Sequence, residues 1–129
     1  MSRTVEDLVA EARSRIREIS LEELVDTLAG DLVLVDVREP DEYVQGHLPG
    51  AVNLPRGVLE FQIHAHPAMG CVADEALAVP SRRVVLYCRT GGRSALAADS
   101  LRQLGFTDVC SLAGGFEAWR NADLSVSME

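Results

Sequence analysis

The sequence predicts an α/β domain organised around a mainly parallel sheet. Two observations carry that expectation. The apolar runs Leu32–Val37 and Val84–Tyr87 are continuous rather than alternating, the pattern of strands buried on both faces. Between the apolar runs lie segments with helical spacing and helix caps, and strands alternating with helices build parallel sheets. The 129 residues suit one domain. A chain of this size buries roughly two-thirds of its unfolded surface, so its core needs no disulfide staples.

Two capped helices open the chain. Thr4 with Asp7 forms a capping box, and Val5, Leu8, Val9, Ala12, Ile16 and Ile19 follow at helical spacing. Ser20 with Glu23 forms a second box before Leu21, Leu24, Val25 and Leu28, and Gly30 supplies the stop. We therefore divide the chain into an N-terminal helical extension, 1–19, and a main domain, 20–129. The extension is expected to pack on its own domain. Pro40, with Asp41 and Glu42, begins a short helix that Gly46 ends. His47-Leu48-Pro49-Gly50 is a turn, and Ala51–Leu54 a short strand. Gly57–Ile63 reads as a helix and His64–Val79 as an irregular connection. The strand Val84–Tyr87 leads into a glycine-rich loop, 88–93, and an alanine-rich helix from Ser94 to Leu104 closed by Gly105. Val109–Leu112 is the last strand, and Gly114-Gly115 turns the chain into a short helix with Phe116 and Trp119.

Composition narrows the function. A hydrophobic content of 47% and a charged content of 25% are ordinary globular values. The net charge of −8 argues against a nucleic-acid partner, which calls for clustered positive charge. No run approaches transmembrane length, and the acidic start is unlike a secretory leader. The three cysteines, Cys71, Cys88 and Cys110, imply neither a disulfide framework nor a zinc site. A reducing cytoplasm without membrane attachment is the expected setting. No cofactor and no metal are expected. His64, His66 and Cys71 form no complete ligand set, and a solvated connection is the simpler reading of them.

The chemistry concentrates at Cys88. It follows an apolar strand and precedes a helix, where ligands bind in open α/β sheets. Gly91 and Gly92 let the backbone turn tightly and aim its N–H groups inward. The first amides of the following helix are free to serve an anion, and Arg89 and Arg93 add positive charge. A cysteine in this setting loses its proton easily. Cys110 reads instead as a buried, inert thiol.

Three segments resemble the rhodanese family. They are Leu34–Tyr43 with Gly46–Ala51, the loop Cys88-Arg89-Thr90-Gly91-Gly92-Arg93-Ser94, and Leu112–Phe116 with Trp119. The resemblance implies a five-stranded, mostly parallel sheet flanked by helices on both faces. It also implies transfer of sulfane sulfur from a small anionic donor to a thiol, cyanide or protein acceptor, through a persulfide on Cys88. Thr90, Gly91, Gly92 and Ser94 would cradle the persulfide, and Arg89 or Arg93 would hold the donor's oxygens. In related domains a loop beginning Cys-Arg goes with thiosulfate, whereas mercaptopyruvate enzymes typically carry Gly after the cysteine. A non-turnover sulfur carrier or interaction module is the alternative. Rhodanese-like phosphatases and arsenate reductases use five residues between Cys and Arg. Here four separate Cys88 from Arg93, a smaller cradle that suits sulfur better than phosphate.

Arg38 has two readings of equal weight: a cation that attracts the donor, or an ion pair with Asp36, Glu39 or Glu42. His47 is expected to stabilise its turn rather than act as a base. Arg56 is a weaker candidate for the site's edge. Phe116 and Trp119 read as core anchors.

Overall fold

The computed structural model describes residues 2–63 and 82–128. The elements run α1 (Val5–Arg15), β1 (Arg17–Ile19), α2 (Leu21–Thr27), β2 (Leu32–Asp36), α3 (Pro40–Val44) and β3 (Val52–Asn53). Then come α4 (Leu59–Gln62), β4 (Arg83–Tyr87), α5 (Gly92–Gln103), β5 (Val109–Leu112) and α6 (Gly115–Asn121). The five strands form one sheet in the order β1-β5-β4-β2-β3, and every pairing is parallel. The α/β architecture read from the apolar runs is therefore the one observed.

Both faces of the sheet are covered, which explains the unbroken apolar runs. Val33 and Val35 of β2 join Val84 and Leu86 of β4 on the face packed by α5. Leu34, Val85 and Tyr87 point the other way, into a second cluster with Leu24 of α2 and Trp119 of α6. Alternation along each strand divides one apolar run between two cores. Full burial of a side chain such as Val35 or Leu86, both 0% exposed, contributes about 1.5–3 kcal/mol.

Both capping boxes form as expected, at Thr4–Asp7 and Ser20–Glu23. The first helix is shorter than its spacing suggests. It stops at Arg15, and Ile16 takes an extended conformation. Arg17, Glu18 and Ile19 then pair with Cys110, Ser111 and Leu112. An i,i+3 spacing marks one face of a helix, but in a strand it marks opposite faces. Ile16 accordingly packs against the α5-side core and Ile19 lies in the other. The 19/20 division thus runs between β1 and α2, leaving a strand of the sheet on the extension's side.

Two smaller differences matter locally. α5 begins at Gly92 rather than Ser94, which brings the loop's last residues into the first helical turn. α4 spans four residues, 59–62. His64, His66 and Cys71 lie outside the described residues. α1 packs on its own domain, along α5, where Asp99 accepts two hydrogen bonds from Arg15 at 3.0 and 2.8 Å. Among the described residues no helix is long and apolar enough to cross a membrane.

Candidate active site

Cys88 leaves the carboxyl end of β4, which β2 and β5 flank. Val84, Leu86 and Cys88 share one face, so strand alternation aims the sulfur toward the start of α5. The thiol is 2% exposed. The chain then reverses through Gly91, whose φ of 117° is favoured only for glycine. This reversal turns the Gly91 amide back to donate to Cys88 Sγ at 3.1 Å. Ser94 Oγ, in the first turn of α5, lies 3.6 Å from the same sulfur.

The loop is held from behind by α6. The amide of Phe116 donates to the Cys88 carbonyl at 2.8 Å, and the amide of Glu117 donates to the Arg89 carbonyl at 3.1 Å. Gly115 makes this approach possible. A Cβ there would come within 2.5 Å of the Cys88 carbonyl oxygen and 2.7 Å of that of Arg89. The Gly114-Gly115 pair does more than turn the chain: it lets one backbone lie against another.

Burial pushes the Cys88 thiol up. The Ser94 amide and hydroxyl, with the amides of Gly91 and Thr90, outweigh it and hold the group below its ordinary value. Hydrogen bonds to the charged form are the cause. For Cys110 burial is the largest influence, and it pushes the thiol up instead. The two described cysteines, both free, therefore differ as the sequence suggests.

The arginines are distributed less simply. Arg93 donates to Glu42 through both terminal nitrogens, at 2.7 and 3.1 Å, and lines a cavity of about 460 Å³ that contains Cys88, Thr90 and Gly92. Arg89 donates to Glu117 at 2.9 Å and lines a separate depression with Arg38 and Arg120. Of Arg38's two readings, the structure contains the ion pair. Its Nη2 lies 2.7 Å from Asp36 and 2.7 Å from the Gly46 carbonyl, and its guanidinium lies 4.4 Å from the centre of the Phe116 ring. Arg56 is engaged by Glu60 and Ser100. His47 stacks on Tyr43 at 3.7 Å and bonds the Tyr43 carbonyl through Nδ1, as a turn-stabilising residue would.

The parts played by Ser111, Glu42, Val9 and Arg13 escaped the sequence reading. Ser111 of β5 is fully buried, and its hydroxyl lies 2.8 Å from that of Ser94. A hydroxyl inside an apolar strand is a signal in itself, since buried polar groups find partners. Glu42 was weighed as a partner for Arg38, yet it pairs with Arg93 instead, and nothing local in the sequence connects residues 51 positions apart. Val9 and Arg13 of α1 line the Cys88 cavity, which only the docking of that helix reveals. Among the described residues no cluster of three or more His, Cys, Asp or Glu could hold a metal.

A family model described as the rhodanese-like domain matches residues 20–122. The chain belongs to the rhodanese family. A sulfurtransferase of Allochromatium vinosum is 35% identical over 113 residues, covering 86% of this chain and 94% of that protein. The human thiosulfate:glutathione sulfurtransferase is 34% identical over 104 residues, covering 78% and 90%. A solved structure from Rhodopseudomonas palustris superimposes with a TM-score of 0.81 at 32% identity, covering 98% of this chain and 96% of that one. That protein is described as of unknown function and a possible tyrosine phosphatase.

Proposed function

We propose that this rhodanese moves sulfane sulfur from thiosulfate or a similar donor to a thiophilic acceptor through a persulfide on Cys88. The observation that carries this reading is Cys88 Sγ itself, buried yet bonded by the Gly91 amide at 3.1 Å. Such a sulfur is placed for its charged form to be stabilised as it reacts. It attacks the outer sulfur of thiosulfate, forming an S–S bond. The bond to the sulfonate sulfur breaks, and its electron pair leaves with sulfite. The same amides then hold the negative persulfide. Arg93 is the loop cation that lines the cavity, so it is our first choice for the donor's oxygens, ahead of Arg89 and Arg38. Both named relatives are sulfurtransferases, in keeping with this reading. Because the reaction needs a reduced thiol, a reducing compartment such as the cytoplasm suits it.

Intact mass spectrometry tests the proposal. Thiosulfate should add one sulfur atom per chain, on the peptide containing Cys88, and cyanide should remove it. No label from any sulfane donor would leave only an interaction module.

The description of the R. palustris structure favours a second reading, phosphotransfer. Four residues between Cys88 and Arg93 make a tight cradle, with α5 already begun at Gly92. We expect no Cys88-dependent hydrolysis of an aryl phosphate above background.

A further inference from the structure

The family match begins at residue 20, yet half of the residues that wall the cavity over Cys88 precede it. Val5, Val9, Ala10 and Arg13 of α1 face Arg93 and Leu96 of α5 across that space. Two hydrogen bonds from Arg15 to Asp99 clamp the two helices together. The contact comes close to the catalytic loop: a Cβ on Gly92 would lie 3.8 Å from Val9 Cγ2, and one on Gly91 3.3 Å from Arg13 Nη2.

The shape and chemistry of this space exceed what thiosulfate needs. The loop with Arg93 suffices for a small inorganic anion. A cavity of about 460 Å³ falls within the roughly 300–1,000 Å³ of sites for organic ligands. Val5, Val9, Ala10 and Leu96 give it an apolar side. Arg13 gives it a cation directed at the loop. Its Nε lies 3.3 Å from Glu18, while Nη2 reaches toward Gly91. Glu6 sits at the far end of the wall, about 10 Å along the helix from Arg13 at 1.5 Å per residue. A planar carboxylate matches a guanidinium edge.

We infer that α1 is the acceptor-selecting wall of the Cys88 site, with Val9 and Arg13 favouring an organic thiol that carries a carboxylate. This inference rests on the sulfurtransferase reading above. In the step it serves, the acceptor thiolate attacks the outer sulfur of the Cys88 persulfide. An S–S bond forms on the acceptor, the bond from that sulfur to Cys88 Sγ breaks, and its electron pair returns to Sγ. The acceptor leaves as its persulfide, and no oxidant is consumed.

The test uses the full chain, loaded with thiosulfate, and three acceptors: 3-mercaptopropionate, 2-mercaptoethylamine and 6-mercaptohexanoate. Arg13→Gln should raise KM for 3-mercaptopropionate about fivefold relative to that for 2-mercaptoethylamine, the size expected of a partly exposed ion pair. Comparing variant with wild type cancels the difference in thiol acidity. Arg13→Lys should restore most of the preference. Val9→Ser should raise KM for 6-mercaptohexanoate about threefold more than for 3-mercaptopropionate, because the longer stem buries more apolar surface against that side. Equal shifts for the two short thiols in Arg13→Gln, or a Val9 effect independent of stem length, would overturn the inference while sulfur loading still succeeded. A chain that takes up no sulfur would sink the sulfurtransferase reading and this one with it.

Discussion

Ser94 Oγ lies 2.8 Å from Ser111 Oγ and 3.6 Å from Cys88 Sγ. Each hydroxyl has one proton to give. Ser94 can spend its proton on the Gly91 carbonyl at 3.3 Å or on the sulfur. When Ser111 donates to Ser94, the Ser94 proton is free to turn to the thiolate. Ser94→Ala should then raise the Cys88 midpoint, because the charged sulfur loses a hydrogen-bond donor. Ser111→Ala should raise it by a smaller amount. The double variant should match Ser94→Ala alone. Alkylation rates measured across pH report the midpoints, and additive shifts would refute the coupling.

Cys88 and Cys110 should separate by reactivity. The Cys88 thiol is held below the ordinary value and Cys110 is pushed above it, so iodoacetamide should modify Cys88 first near neutral pH. The thiolate's contribution to folding stability is full above the ordinary thiol value of 9.0. It is lost as pH falls through the depressed native midpoint. Sulfur transfer should fall over that same lower window. Cys88→Ser should abolish transfer and Cys110→Ser should leave most of it. Peptide mapping that finds Cys110 labelled first would contradict the assignment.

Glu42 links acid stability to the site. Its bonds to Arg93 bring its carboxyl down from 4.5 to about 2. The depressed group stabilises the fold fully above pH 4.5 and loses that contribution as pH falls toward 2. Glu42→Gln should therefore be less stable than wild type near neutrality, by a modest amount because the pair is partly exposed. Urea denaturation at several pH values should show the gap closing below about pH 4.5. A gap that persists at pH 2 would exclude the Arg93 pair as its source.

Arg38→Met tests the buried pair beside the site. Asp36 is 0% exposed and would lose its counter-charge. Breaking one side of a buried pair costs about 3–5 kcal/mol. Asp36→Asn combined with Arg38→Met should recover part of that loss. A cost under about 1 kcal/mol in the single variant would mean that water or another cation replaces the guanidinium.

The sequence was most legible where one local pattern sufficed. The capping boxes, the doubly buried strands and the Cys88 loop each depend on residues close together in the chain, and the structure contains them. At β1 the three-residue spacing of Ile16 and Ile19 fits one helix face, whereas a strand puts them on opposite faces, each with its own core, and only the free side of β5 decides between the two. Arg89 and Arg93 looked alike as loop cations. Their acidic partners, Glu117 and Glu42, come from different helices and draw them to different cavities. Likewise, no pattern within α1 announces that Val9 will stand over Gly92.

The pairing of Arg17–Ile19 with Cys110–Leu112 bears on how this domain can be trimmed. A fragment cut at residue 20, where the family match starts, would leave the outer rim of β5 bare. Unpaired strand rims invite self-association between molecules. Such a fragment would be expected to retain its nucleophile and yet lose solubility, so its failure in an assay would report on aggregation rather than on chemistry.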